Sequence, residues 1–495
     1  MYDIEEVYLT GNKVVGDEHL KYVIRRIKDE EPEKAENRNN GLEWSEMGMG
    51  ELFSRCYHDT IRYCTTQKSW YAYQDGRWVY DTASVMASSA VKEFVRICRL
   101  YGDTIKDEKI RDDWFKFCVK MNDRRFRDRM LKDAQDQSAV AMEEFDANPY
   151  LVNCRNGTFD LKSGKFRRHS PDDLLTMQTR FDYVASKEER PHCERWEAFI
   201  DQITEGNREK AAYIQRAYGY SILGMATAEC MFIWYGKTSR NGKSTLQNAI
   251  EHMMGDYAAV APVAIICKQK QADTASTASP MLAMLKGKRI VTMSESADYG
   301  KMDEQAVKSM TGGESITARK LYAEPMTFLP QFTLFLSTNS LPAVTDKSLF
   351  ASDRLRVVEF NRHFDLKERD ESLKGQFSED SAMSGIFTWL LEGYAEYKKK
   401  GLQIPDSLKY AVVDYEKDND VVLQFLSERT EKSENDKVRL KTLFEYYRAW
   451  CNTENRKAMS AKSFAKNVER LSEFYTDMKN HSGSLCLTGI KVREE

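Results

Sequence analysis

The run Trp234-Tyr235-Gly236-Lys237-Thr238-Ser239-Arg240-Asn241-Gly242-Lys243-Ser244-Thr245 carries the sharpest chemical signal in this chain. It follows an apolar strand pattern and opens a helical one. Backbone N–H groups converge on phosphate oxygens only where glycine lets the chain approach without a Cβ, and the helix that follows adds its positive end. In such a loop Lys243 reaches the β- and γ-phosphates of ATP, and the Ser244 hydroxyl coordinates Mg2+. Five residues separate Gly236 from Gly242, one more than in the usual phosphate loop. Asn241-Gly242-Lys243-Ser244-Thr245 keeps the half that touches phosphate, so the additional residue enlarges the first limb.

A phosphate loop alone does not choose between kinase, GTPase and motor; the acids and arginines downstream do. Ile290-Val291-Thr292-Met293-Ser294-Glu295 is an apolar strand ending in a carboxylate, where an acid that holds Mg2+ and polarises water belongs. Ser294 occupies the first of two positions often filled by acids, which leaves the work to Glu295. A second apolar strand, Phe332–Ser337, runs into Thr338-Asn339, and the Asn339 amide there can hold the attacking water or sense the γ-phosphate. Ser352-Asp353-Arg354-Leu355-Arg356 leads into another strand. An arginine outside its own nucleotide pocket, Arg354 first and Arg356 less so, can neutralise charge at a neighbouring subunit's γ-phosphate, which requires an oligomer. Between these lies Lys308–Tyr322, where two glycines and the Arg319-Lys320 pair fit a hairpin that presents cations to a nucleic acid strand, with Tyr322 in support; a solvated surface hairpin fits the same residues.

The elements that position these groups are legible from pattern. Apolar runs at Glu229–Gly236, Arg289–Glu295, Phe332–Asn339 and Arg354–Phe360 alternate with helical stretches at Ser244–Met254 and Asp303–Thr311, the α/β signature of a sheet buried on both faces. Asn207–Ala228 reads as a helix ending near Gly224. Upstream, Ser69–Asp81 alternates aromatic and polar residues around Asp75-Gly76 and predicts a hairpin. Ala87–Tyr101 and Asp107–Asp136 read as helices, and Asn148–Pro171 as short strands around Asn156-Gly157 and Ser163-Gly164. Downstream, Val421–Arg429, Val438–Cys451 and Ser460–Leu471 read as helices closed by a hairpin of Phe474–Met478 and Ser484–Val492.

Composition bounds the rest. A chain of 495 residues favours two to four domains. With 41% apolar and 31% charged residues it is not a disordered sequence. The net charge of −3 means that nucleic acid binding needs a local basic surface. The start lacks a secretory pattern and no run is apolar enough to span a membrane, so a soluble, cytoplasmic protein is expected. The ten cysteines show no metal spacing and are expected as reduced, buried thiols. Lys28–Asn40, charged and without apolar periodicity, reads as a linker.

Together these motifs resemble the superfamily-three helicases, and among them the phage/plasmid primase-helicase family related to the poxvirus uncoating/primase-helicase NTPase. WYGKTSRNGKST resembles the family's first motif, including Arg240 and Asn241 before Gly-Lys-Ser. The strand ending at Glu295 resembles its acidic motif and KSMTGGESITARKLY its DNA hairpin, with Glu314 where Asp is commoner. LFLSTNSLP resembles its sensor through Asn339, and SDRLRVVEF its arginine finger through Arg354. NPYLVNCRNGTFDLKSGKFRRHSP is similar to the helicase-associated region, and VVLQFLSERT with LFEYYRAWC and SFAKNVERL to a terminal winged helix.

The resemblance implies an α/β chain: an AAA+ P-loop NTPase core over 206–403, an N-terminal α+β helicase-associated module over 41–205 behind a segment 1–40, and a C-terminal winged helix over 404–495. It also implies a replicative, ATP- and Mg2+-dependent DNA helicase of a phage, prophage or plasmid-like element. Such a motor forms a homo-oligomeric ring, a hexamer in the family, moving 3′-to-5′ on single-stranded or forked DNA, with a separate primase or loader as a further partner. About forty residues ahead of the associated module are too few for a primase domain. Asp418-Asn419-Asp420 lies in a helical stretch and reads as helix-start chemistry, so no primase activity is expected. Two other readings compete: an ATP-regulated origin-binding initiator without processive unwinding, and a metabolic P-loop phosphotransferase, for which the basic hairpin and arginine finger have no task.

Overall fold

The computed structural model describes residues 21–25, 44–184, 192–268, 280–294, 301–319, 325–344, 348–454, 456, 458–481 and 484–493. The predicted linker at 28–40 lies outside the described residues.

Five parallel strands form the centre of the molecule: β1 (Met231–Tyr235), β2 (Ala258–Val260), β3 (Ile290–Ser294), β4 (Thr333–Thr338) and β5 (Leu355–Glu359). Their spatial order is β5-β1-β4-β3-β2. Parallel strands cannot be joined by tight hairpins, so helices cross over both faces and the inner strands are largely apolar and buried. The register brings three strand ends level. Tyr235 pairs with Thr338, and Ser337 with Ser294, so the chain leaves β1, β3 and β4 at one edge of the sheet.

Helices α1 (Glu194–Thr204), α2 (Arg208–Ser221), α3 (Lys243–Met254), α4 (Glu304–Thr311), α5 (Asp380–Lys400) and α6 (Asp406–Asn419) surround this sheet. Alternation along the strands assigns the faces. Phe232 and Trp234 of β1 meet Leu246 and Ile250 of α3, Tyr213 and Ala217 of α2, and Ile386 and Leu390 of α5 in one buried cluster. Met231 and Ile233 point to the other cluster, with Val307 and Met310 of α4 and Tyr415 of α6. Side-chain caps set two of the helix starts: Asn207 accepts from the Lys210 N–H, and Asp303 from the Gln305 and Ala306 N–H groups.

The N-terminal residues build an α+β arrangement. The predicted hairpin is present as Ser69–Gln74 paired with Arg77–Tyr80, its turn made by Asp75 and Gly76 at φ of 48° and 79°, the doubly left-handed turn that matches strand twist. Helices Glu46–Tyr57, Val85–Gly102, Glu108–Met121 and Arg124–Gln137 share one apolar cluster. A three-stranded sheet of Leu151–Cys154, Gly157–Asp160 and Lys165–Arg167 packs into the cluster of the central sheet through Val152 and Phe159. Arg289, fully buried just before β3, joins the two parts: it donates from Nη1 to the Ile222 carbonyl at 2.6 Å and from Nη2 to that of Leu151 at 2.5 Å, beneath the Tyr257 ring.

The C-terminal residues fold around their own cluster, with helices Val421–Arg429, Leu440–Thr453 and Ala461–Arg470. Asp420 accepts from the Leu423 N–H and so starts a helix, as its sequence context predicts. The closing hairpin, Asp477–His481 with Ser484–Val492, is joined by a strand that pattern does not reveal, Thr430–Arg439. TEKSENDKVR has no apolar alternation, because most of it lies exposed and it is held chiefly by its ladder to Ser484–Val492. All ten cysteines are free, eight of them buried. No helix among the described residues is long and apolar enough to cross a membrane.

Candidate functional site

The loop from Gly236 to Gly242 leaves β1 at the carboxyl edge of the sheet and delivers the chain into α3, the place where open α/β sheets bind ligands. Gly236 donates its N–H to the Thr338 carbonyl at 3.2 Å. A Cβ there would lie 2.2 Å from Asn241 Nδ2, 2.7 Å from the Phe360 carbonyl and 2.9 Å from Lys243 Nζ, so only glycine lets the loop fold back on itself. Gly242 has φ of 84°, the left-handed region, and stands at the N-cap of α3 without a side-chain oxygen to offer. The first-turn N–H groups of α3 therefore have no side-chain cap, which suits them to an anion.

Asn241 is the brace of this loop. It is buried, and its Nδ2 donates to the Thr238 carbonyl at 2.7 Å and the Phe360 carbonyl at 3.4 Å. The segment after β5 wraps the other side: the Phe364 N–H donates to the Arg240 carbonyl at 2.9 Å, and His363 Nδ1 to that of Ser239 at 3.0 Å. Arg240 is exposed and held at φ of 62°, an uncommon backbone for a residue with a Cβ. Ser244 is exposed at the start of α3 and Thr245 half-buried.

Lys243 is buried, and its Nζ donates to Asn339 Oδ1 at 2.9 Å. Asn339 is exposed and directly follows β4. Two residues chosen from separate motifs are thus in contact. Glu295 lies outside the described residues; β3 ends at the exposed Ser294, level with Ser337.

Arg354 lies at the opposite edge of the sheet, where its carbonyl accepts from the Met231 N–H at 2.8 Å as β1 begins. Its guanidinium is held within this chain, donating from Nη2 to Glu229 Oε2 at 2.6 Å and from Nη1 to Thr311 Oγ1 at 2.9 Å. Arg319 follows a short strand, Ile316–Ala318, that pairs antiparallel with Met326–Phe328, the frame expected for the basic hairpin. Lys320 and Tyr322 lie outside the described residues.

One charged residue near the loop has no motif to announce it. Lys210, in the first turn of α2, is buried with Nζ 5.4 Å from the Phe360 ring centre. Burial holds its ammonium below the usual lysine range, against the pull of Glu205 and Glu359. Nothing in EKAAYIQRAYG marks it, since a lysine in a first turn is usually solvated; the contact with the strand region 150 residues later decides it.

Comparison with known proteins adds a family to this geometry. Residues 50–205 match the D5 N terminal like family, 234–356 a family of unknown function (DUF5906), and 417–484 the Poxvirus D5 protein-like family. A protein of Acanthamoeba polyphaga mimivirus named as a putative helicase is 27% identical over 471 residues, 88% of this chain and 48% of that protein. One of Invertebrate iridescent virus 3, with the same description, is 23% identical over 338 residues, 62% of this chain and 35% of that protein. The chain therefore spans about half or less of the length of these relatives. A solved structure, the apo form of the NrS-1 C-terminal region, superposes with a TM-score of 0.47 at 12% identity, over 87% of this chain and 96% of that one. D5-type segments thus lie on both sides of the central sheet, and in these parts the chain is similar to D5-like proteins and to viral proteins named as helicases.

Proposed function

We propose that this chain is an ATP-driven DNA helicase motor whose hydrolytic site is the loop 236–245 at the carboxyl edge of the central sheet. The observation that carries the reading is the Lys243–Asn339 contact: the cation of a glycine loop and a polar amide from the next strand meet where phosphates would sit. The residues fit a triphosphate. Gly236 lets the Asn241 amide and the Lys243 ammonium pack where a Cβ would clash, Gly242 turns the uncapped α3 N–H groups toward the loop, and Lys243 supplies a buried cation. On this reading Lys243 holds the phosphates, Asn339 orients the attacking water, and Arg240, Asn241 and Thr245 shape the cradle. Ser244 and Glu295 hold Mg2+, which offsets phosphate charge when bound.

Several finer features follow from the same reading. The strand order β5-β1-β4-β3-β2 supports an AAA+ P-loop core, because it inserts the Asn339 strand between the loop strand and the acid strand. Three helices with a three-stranded antiparallel sheet support a C-terminal winged helix. Arg354, remote from its own loop, is suited to the active site of a neighbouring copy, in a hexameric ring that moves 3′-to-5′ with Arg319 and Lys320 on DNA. The element it replicates is a phage, prophage or plasmid-like element, and its site of action the host cytoplasm.

The test is ATP hydrolysis by the purified chain with and without single-stranded DNA, alongside strand displacement from a labelled fork. Hydrolysis that rises with DNA and drives displacement is expected. Hydrolysis indifferent to DNA would remove the motor reading, and DNA-stimulated hydrolysis without displacement would favour the origin-binding initiator.

A further inference from the structure

A cavity of about 1290 Å³ opens between α2, α6, the turn that joins α5 to α6, and the start of β5. It lies by the end of the sheet where β5 begins, not at the edge that carries the Lys243 loop. Two arginines line it, Arg216 of α2 and Arg356 of β5.

Both are out of place by pattern. Arg356 pairs with Phe232 and shares its strand face with Val358 and Phe360, all three of which are fully buried. Arg216 occupies the inward side of α2 beside Tyr213 and Ala217 and is 9% exposed. Its Nη2 donates to the Gln403 carbonyl at 3.2 Å, while its Nε is buried and without a hydrogen-bond partner. The Nε of Arg356 is in the same state, and so is the Tyr213 hydroxyl. These groups form one cluster: the Arg216 guanidinium lies 5.7 Å from the Tyr213 ring centre, and both guanidiniums act on the Tyr213 phenol. Arg356 also neighbours the Cys230 thiol.

Among the described residues no carboxylate lies within ion-pair distance of either arginine. The rim lysines are already engaged, Lys399 and Lys400 with Glu396, and Lys409 with Asp406. Arg216 is buried and Arg356 half-buried, Asp353 on the cavity wall stays beyond ion-pair distance of both, and each orphan Nε is a donor whose burial without a partner is costly. A tetrahedral oxyanion answers both demands, since it supplies negative charge and several acceptors in the geometry that guanidinium forks match.

We propose that this cavity binds a phosphoryl group, carried by a free small ligand such as inorganic phosphate or a nucleotide, at a site separate from the Lys243 loop. Free ligands are favoured because the orphan donors are buried, whereas a nucleic acid backbone tracks an open groove. The proposal does not depend on what the loop at 236–245 binds.

The experiment uses the full chain carrying Lys243→Ala, which removes the loop's grip, and titrates inorganic phosphate by calorimetry and phosphorus NMR. Saturable binding is expected, weakened by about tenfold or more when Arg216→Gln or Arg356→Gln is added, the scale of one charge-assisted hydrogen bond. If Arg216→Gln fails to fold, judged by circular dichroism, Arg356→Gln on the edge strand carries the test. Tighter binding of AMP than of phosphate identifies a nucleotide; equal binding identifies free phosphate. Absence of saturable binding, binding that both substitutions leave unchanged, or binding of a single-stranded oligonucleotide alone would each overturn the proposal.

Discussion

Lys243 and Asn339, 96 positions apart in the chain, meet through a hydrogen bond of 2.9 Å from Nζ to Oδ1. One opens α3 and the other closes β4, and only the parallel pairing of β1 with β4 brings them together. On the proposed reading the lysine engages phosphate in both ground and transition states. Lys243→Ala should lower ATP hydrolysis by at least about a hundredfold, the scale for loss of one preorganised charge. Asn339→Ala should lower kcat more than it raises KM, because the amide acts on the water. Steady-state phosphate release checks both, with circular dichroism to show that the fold persists.

Gly236→Ala places a methyl group 2.2 Å from Asn241 Nδ2 and 2.9 Å from Lys243 Nζ. The Asn241 brace, the lysine and the Phe360 carbonyl, 2.7 Å away, must all give way. Nucleotide affinity should fall by about tenfold or more, with thermal stability reduced by about 1–3 kcal/mol, the range for overpacking. Fluorescent nucleotide titration and thermal melting measure the two effects.

Arg354 is tied to Glu229 and Thr311 of its own chain at the edge remote from Lys243. If the proposed ring forms, Arg354→Ala should abolish turnover while leaving nucleotide binding intact. An equimolar mixture with Lys243→Ala should then recover up to about a quarter of the unaltered rate, the share of interfaces at which the two intact halves meet at random. A mixture that recovers nothing argues against a site shared between copies.

Arg289 donates to two carbonyls that have no access to water once the N-terminal strands close over them. Arg289→Met keeps the bulk and removes the donors, leaving Ile222 and Leu151 carbonyls unsatisfied. A loss of about 2–5 kcal/mol is expected in chemical denaturation, with the N-terminal part more readily cleaved by protease.

Glu93 has a buried carboxyl oxygen without a partner, and burial pushes its carboxyl up to about 7 from an ordinary value of 4.5. The folded chain then holds a proton that the unfolded chain releases at lower pH. Stability contributed at this position is present below about 4.5 and declines as pH rises toward 7. Glu93→Gln should flatten that decline in the melting temperature, measured in buffers from pH 4.5 to 7.5 relative to the unaltered chain.

Local pattern determined much of this protein. Largely apolar runs at β1, β3, β4 and β5 announced a buried parallel sheet, since strands covered on both faces read that way, and Gly236, Gly242 and Lys243 announced an anion-binding turn. Asn207, Asp303 and Asp420 marked helix starts because capping is chemistry between near neighbours. Tertiary structure decided whatever depends on distant groups. The strand Thr430–Arg439 exists through its ladder with Ser484–Val492 rather than through its own side chains. Lys210, Arg216 and Arg289 read as ordinary surface charges in sequence, and packing buries them all. Burial turns a solvated cation into one that must find carbonyls, rings or an anion, and that requirement arises only when elements far apart in the chain close around it.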